Sequence, residues 1–279
     1  MQIGLIAGAG ALPIIIANDA RARGYTVVTV ALENLASDEL NEVSDVIKWI
    51  NPGKFGELID ILKKNNVKEA LMAGKVPKSL LYKSKITPDL RGLKLLFSII
   101  NKGDDVILKA IKKELADEGI EIIETPAFSP HLLTPEGCLT NKQPDEEEWK
   151  DIEYGWRLAK EIGRLDIGQT VVVKGRAIMA VEAIEGTDEA ILRGGYWAEE
   201  GAVVVKISKP QQDMRLDVPT VGSDTIKAMC SAKAGVLAIE AHKSIIVNKD
   251  VVIKEAEAAG IKIVGISDSR YAEQSSDGK

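Results

Sequence analysis

The sequence predicts an α/β fold with two domains: a Rossmann-like first domain on a parallel sheet, and a second α/β domain with a mixed sheet. Three observations predict it. Short β-branched apolar runs alternate with helical-period runs over short connections in the first half, the pattern of parallel strands covered by helices. The first of those strands ends in Gly8-Ala9-Gly10, a tight strand-to-helix turn. A proline-bearing stretch with little apolar periodicity, residues 125–145, then separates this pattern from one containing closely spaced strand pairs. The expected division is 1–124, a linker at 125–145, and 146–279. A chain of 279 residues is long enough for two cores.

In order, the strands of the first domain are expected at 3–7, 26–32, 46–50, 69–73 and 120–123. Helices are expected from about Pro13, in the first turn, to about Arg23, ended by Gly24, and at 54–65, 88–100 and 104–118. Phe55, Leu58, Ile59 and Leu62 recur at helical spacing and mark a buried face. The run 93–100 is apolar almost all round, which suits burial or the lining of an apolar cleft. In the second half, acids at 145–148 open a helix in the orientation its dipole favours. Residues 170–173 and 177–183 read as a hairpin around Lys174-Gly175-Arg176. A helix from Thr187 to about Leu192 follows, with Thr187 as its cap, then a buried strand at 202–207 with Lys206 pointing out of it. Ser223 or Asp224 caps the next helix. Residues 236–240 and 244–247 read as a second hairpin, followed by a helix at 250–259 and a last strand at 261–266.

Composition excludes several classes. The net charge of −6 argues against a general nucleic-acid binder, which needs a basic footprint. Cys138 and Cys230 match no metal or redox spacing, and a reducing compartment fits them. The first residues read as a buried strand rather than a signal peptide, and no run approaches the roughly 18 apolar residues of a membrane span.

The most informative stretch is 211–222, Gln-Gln-Asp-Met-Arg-Leu-Asp-Val-Pro-Thr-Val-Gly. Asp213, Arg215 and Asp217 alternate just before Pro219. Because Val218 is biased towards extended geometry, the three side chains are expected on one face if that geometry reaches back to residue 213. Two carboxylates can hold Mg²⁺ or orient a water, and a guanidinium can fork onto phosphate. The alternative is a polar loop whose charges neutralise each other. Gly8, Ala9, Gly10 and Lys75 lie at the carboxyl ends of strands, where α/β sheets gather ligands, and form a candidate anion pocket. Pro13 stands where a dinucleotide fingerprint has its third glycine, while Glu33 occupies the place of a ribose-binding acid. Thr187 and Asp188 are either helix-capping residues or groups that face a phosphate or metal.

Taken in order, residues 3–13, Gly74-Lys75-Val76, Gly103-Asp104-Asp105, 166–169 (DIGQ), 181–188 (VEAIEGTD) and 212–219 (QDMRLDVP) resemble the LpxI-type UDP-2,3-diacylglucosamine pyrophosphatases of lipid A biosynthesis. The resemblance runs from residue 3 to about 266 and rests on the ordered set. It implies a two-domain enzyme with substrate held between the domains. It implies cleavage to UMP and 2,3-diacylglucosamine 1-phosphate by water attacking the sugar-side phosphate, and a divalent ion, Mg²⁺. The essential aspartate of the family's motif matches Asp217, with Asp188 or Asp213 as partner metal ligands. Lys75 and Lys206 are then candidate phosphate clamps, and Gln169 and Thr187 hydrogen-bond partners. A lipid-linked UDP-sugar implies a cytoplasmic protein that visits the inner membrane transiently, and a homodimer is among the assemblies open to it. Three positions depart from the family pattern: Leu216 replaces an aromatic, the first turn reads Gly-Ala-Gly, and His242 stands where glycine is expected. Two rival classes are a nicotinamide-dependent oxidoreductase built on Gly8–Gly10 and Glu33, and a non-catalytic nucleotide-sugar binding protein.

Overall fold

The computed structural model describes residues 1–76, 87–93 and 104–268. The chain divides into two units, 1–130 with 213–217, and 131–212 with 218–279. Each is α/β, as expected.

The first unit carries a five-stranded, all-parallel sheet in the order β3-β2-β1-β4-β5. Its strands are β1 (Gln2–Ala7), β2 (Thr26–Leu32), β3 (Val46–Ile50), β4 (Glu69–Ala73) and β5 (Glu121–Ile122). Every residue of β2 after Thr26 is buried, which is why its sequence is nearly all apolar rather than alternating; Thr29, the exception, shares a hydrogen bond with Ser44 at 2.6 Å. The helices are α1 (Leu12–Ala22), α2 (Leu40–Val43), α3 (Phe55–Lys64) and α4 (Asp104–Asp117). Phe55, Leu58, Ile59 and Leu62 are the buried face of α3, as their spacing requires. The Asp89 carboxylate accepts from the Gly56 and Glu57 amides at 2.7 and 3.2 Å and so caps α3 from a distant segment. Residues 90–93 are helical; the rest of the helix expected at 88–100 lies outside the described residues. Leu216 packs into this unit's core beside Ile6, Val30 and Ile122.

Strand order reverses at β1, so the carboxyl ends of β1 and β4 form the switch point where a ligand would be expected. Here the backbone closes on itself. The Gly8 amide donates to Ala73 O at 2.8 Å, the Ala9 amide to Lys75 O at 2.9 Å, and the Lys75 amide to Ala9 O at 2.8 Å. Gly74, with φ +90°, makes the approach possible: a Cβ there would lie 2.7 Å from Gly8 C. Gly74→Ala is therefore expected to destabilise this unit by about 2 kcal/mol or more, from left-handed strain and overlap together. Urea unfolding of the variant checks this; an unchanged midpoint would contradict the closure.

The second unit carries a six-stranded mixed sheet, order β6-β13-β11-β9-β7-β8. Its strands are β6 (Gly137–Cys138), β7 (Thr170–Lys174), β8 (Ala177–Val181), β9 (Val203–Lys206), β11 (Val236–Glu240) and β13 (Lys262–Ile266), with β10 (Thr220–Val221) and β12 (Ile245–Ile246) in a separate parallel pair. Helix α5 (Glu146–Arg164) covers one face through Ile152, Trp156 and Ala159. On the other face pack α6 (Thr187–Ala198), α7 (Ser223–Ser231) and α8 (Lys249–Ala258), with Ile191, Met229 and Ala256 in that core. The acids that open α5 form a capping box, Asp145 with Glu148. The stretch 125–145 holds two 3₁₀ turns and β6, which pairs antiparallel with β13.

Several expectations are corrected. The β7–β8 hairpin forms, but 236–240 and 244–247 do not pair. Strand β11 pairs in parallel with β9 and β13, and β12 with β10. His242 takes φ +61° in the turn between them, a conformation glycine adopts more cheaply. Glycines rather than the expected side chains stand at two helix N-caps, Gly186 before α6 and Gly222 before α7, and α6 runs on to Ala198.

Candidate active site

Residues 213–217 do not extend into a strand. The Leu216 and Asp217 amides donate to Asp213 O at 2.9 and 3.2 Å, making a turn. The Asp213 carboxylate organises it. Its Oδ1 accepts from the Arg215 amide at 3.1 Å and from Arg215 Nε at 2.7 Å. Its Oδ2 accepts from the other arm of the same guanidinium at 2.8 Å and from Lys112 Nζ of α4 at 2.9 Å. Asp213 and Arg215 thus form a fork, joined by Lys112, within a turn rather than an extended segment. The Arg215 hydrogen bonds, helped by Lys112 against the cost of burial, hold the Asp213 carboxyl far below the usual carboxylate range. Asp217 is exposed, between buried Leu216 and buried Val218.

A depressed carboxylate stabilises the fold above its unfolded pKa of about 4, and that contribution is lost as pH falls through the lower folded value. Asp213→Asn is expected to cost about 1–2 kcal/mol at pH 7, discounted because Arg215 is 40% exposed. The gap to wild type then narrows below about pH 4. Denaturation at pH 7 and pH 3 measures it; a gap independent of pH would contradict the fork's contribution.

The second unit builds a buried polar cluster at one end of its sheet. Because β7 runs antiparallel to both β8 and β9, its first residues meet the last residues of its two neighbours. Thr170 lies opposite Lys206, and the Glu182 amide just past β8 donates to Thr170 O at 2.9 Å. Gln169, Thr170, Glu182 and Lys206 are thereby gathered, and the start of α6 adds Thr187. Gly168 is needed for this approach: a Cβ would lie 2.1 Å from Glu182 O. Lys206 does not point outward as expected. It is 5% exposed, and its Nζ donates to Thr187 Oγ1 at 2.9 Å and to Thr220 O at 3.0 Å. Thr187 Oγ1 donates to Glu182 Oε1 at 3.0 Å and lies 3.4 Å from Thr170 Oγ1. The Gln169 amide is 3.4 Å from Glu182 Oε2, and Gln169 Oε1 is buried with no hydrogen-bond partner among the described residues. Beside this, Asp188 Oδ1 accepts from Thr225 Oγ1 of α7 at 3.2 Å.

The structure therefore brings together Gln169, Thr187 and Lys206 and adds Glu182, which sequence reasoning quoted within a motif but did not select. The signal was present: Glu182 directly follows a strand that pairs with the one following Gln169. Gly8, Ala9 and Lys75 are joined as well, but the Gly8 and Ala9 amides are spent on β4 and Lys75; the Lys75 residue and Gly10 are exposed. Glu33 lines a separate surface cavity of about 430 Å³ with Asn34, Ala36, Asp38 and Trp49.

Among the described residues, no group of three or more His, Cys, Asp or Glu side chains is placed to hold a metal. Mg²⁺ takes only one or two protein carboxylates and completes its shell with water and phosphate oxygens. Asp217 and Asp188 are the carboxylates the sequence offers for that role; Asp188 Oδ1 also accepts from Thr225. Asp213 fits it less well, since both its oxygens already serve Arg215 and Lys112.

Comparison with known proteins follows the same residues. The LpxI N-terminal domain model matches 2–132 and the LpxI C-terminal domain model 135–264. The UDP-2,3-diacylglucosamine pyrophosphatase LpxI of Caulobacter vibrioides is 34% identical over 278 residues, covering 95% of this chain and 97% of that protein. The crystal structure of gox2253 aligns with 99% of this chain and 83% of its own at 13% identity and a TM-score of 0.33, too distant to carry an argument. With both domain models in order along nearly its whole length, the chain belongs to the LpxI family.

Proposed function

We propose that this protein hydrolyses the pyrophosphate of UDP-2,3-diacylglucosamine to UMP and 2,3-diacylglucosamine 1-phosphate, a step of lipid A biosynthesis. The observation that carries the reading is the match of both LpxI domains along the chain, with a curated relative of that activity 34% identical over 95% of it. The buried Lys206 ammonium supports it. A cation held in a buried polar cluster is a ready partner for phosphate oxygens, because its field is less screened there than at the surface.

The roles follow from the side chains. Lys206 binds a phosphate oxygen and offsets charge on the transferring phosphoryl group. Gln169 Oε1 offers an acceptor to a substrate N–H or O–H. Asp217, an exposed residue in the motif that carries the family resemblance, orients the attacking water or holds the metal. Mg²⁺, when bound, would supply further neutralisation of phosphate charge, with Asp217 as the carboxylate offered to it. The substrate's acyl chains place the reaction at a membrane surface, visited transiently from the cytoplasm. No helix among the described residues is long and apolar enough to cross a membrane. Most of the apolar run 93–100 lies outside the described residues.

The metal requirement is tested by UMP release from protein stripped with EDTA. Release is expected to fall to background and to return with added Mg²⁺. A full rate in EDTA would remove the metal from this reading.

A further inference from the structure

The cluster around Lys206 contains a charged group with no assigned role, Glu182, which is 8% exposed. A buried carboxylate is costly unless it is hydrogen-bonded and its charge is balanced. Glu182 is connected to Lys206 through a single hydroxyl. Thr187 Oγ1 lies 3.0 Å from Glu182 Oε1 and 2.9 Å from Lys206 Nζ. The direction of both bonds is forced, because an ammonium only donates, a carboxylate only accepts, and the hydroxyl has one proton. That proton goes to Glu182, and a Thr187 lone pair receives Lys206. A second ammonium proton goes to Thr220 O at 3.0 Å. The third has no partner among the described residues.

We propose that Glu182 is a positioning residue: by polarising Thr187 it fixes the rotation of the Lys206 ammonium, so that the third N–H is presented to a substrate phosphate oxygen. This rests on reading Lys206 as a phosphate clamp. Without Glu182 the Thr187 proton is free to turn towards Thr170 Oγ1, 3.4 Å away, and the ammonium loses its fixed acceptor. Lys206 then still carries its charge but spends it over several orientations.

The test uses Glu182→Gln, Thr187→Val and Thr187→Ser in the full-length protein, with two readouts. The first is steady-state hydrolysis of UDP-2,3-diacylglucosamine. Glu182→Gln and Thr187→Val are expected to lower kcat by about 10- to 100-fold with KM changed by less than about 3-fold, the signature of an interaction made mainly in the transition state. Thr187→Ser, which keeps the hydroxyl, recovers most of the kcat lost in Thr187→Val. The second readout is the ¹⁵N signal of the Lys206 ammonium, identified by its loss in Lys206→Arg. It is expected to shift or broaden in Glu182→Gln and Thr187→Val and to stay in place in Thr187→Ser, all at melting temperatures near wild type. An unchanged ammonium signal and unchanged kcat in both Glu182→Gln and Thr187→Val overturn the proposal. So does an equal loss in all three variants that tracks their melting temperatures. If the wild-type protein releases no UMP, the pyrophosphatase reading falls, while the ammonium signal still decides whether Glu182 orients Lys206.

Discussion

Asp217→Asn is expected to lower turnover by about 10²- to 10⁴-fold, the range for removing a group that orients or deprotonates an attacking water. The substitution keeps the shape of the side chain. The surrounding backbone is held by Leu216 in the first unit's core, by buried Val218, and by the Asp217 amide's bond to Asp213 O. The fold is therefore expected to survive, which makes the rate a clean readout. Asp213, in the same turn, supplies the contrast. Its carboxylate is committed to Arg215 and Lys112, so Asp213→Asn is expected to show up first in stability and to reduce turnover by less than about 10-fold. Steady-state kinetics beside urea midpoints for both variants separates the roles. Equal loss of rate in the two would mean that Asp217 has no special place.

Lys206→Met is expected to lower kcat/KM by about 10²- to 10³-fold, comparable with removing one preorganised donor from developing negative charge. Here stability falls as well. The substitution leaves Thr187 Oγ1 and Thr220 O without their donor and Glu182 as a buried charge with no cation behind it. Stranding one member of a buried charged pair costs about 3–5 kcal/mol, and somewhat less is expected where a hydroxyl stands between the two. Adding Glu182→Gln should then restore much of the stability but none of the activity. A double variant no more stable than Lys206→Met would show that the two charges are not coupled through Thr187.

How much of this was legible in the sequence depends on the residue. Strands β2, β3 and β4 fall on their predicted residues, because short, mainly apolar runs bounded by turn residues leave little choice. Nearness in sequence makes 236–240 and 244–247 read as a hairpin. What decides is that β11 finds two parallel neighbours in the large sheet while β12 finds Thr220–Val221. In the 213–217 turn, Pro219 restricts Val218 alone. Further back, the hydrogen bonds Asp213 makes to its own neighbours outweigh any extended preference. The burial of Lys206 escapes the sequence for a different reason. Alternation tells inside from outside only in a strand with one wet face, and β9 is buried on both. The glycines at Gly8 and Gly74 were visible as a motif, but their use in letting two strand ends touch depends on β1 and β4 being neighbours, which only topology supplies. Glu182 was legible in principle from the β7–β8 register. It required following the ladder one residue beyond the strand.

The central claim is that this chain splits the sugar nucleotide's pyrophosphate with water, in a reaction centred on Asp217. The most direct test is to incubate the purified protein and its Asp217→Asn variant with UDP-2,3-diacylglucosamine and Mg²⁺ in ¹⁸O-enriched water, and to follow both products by mass spectrometry. Wild type is predicted to release UMP and 2,3-diacylglucosamine 1-phosphate, with the label in the sugar phosphate, and the variant to release almost none. No UMP from folded wild-type protein, or undiminished release from the variant, would contradict the account.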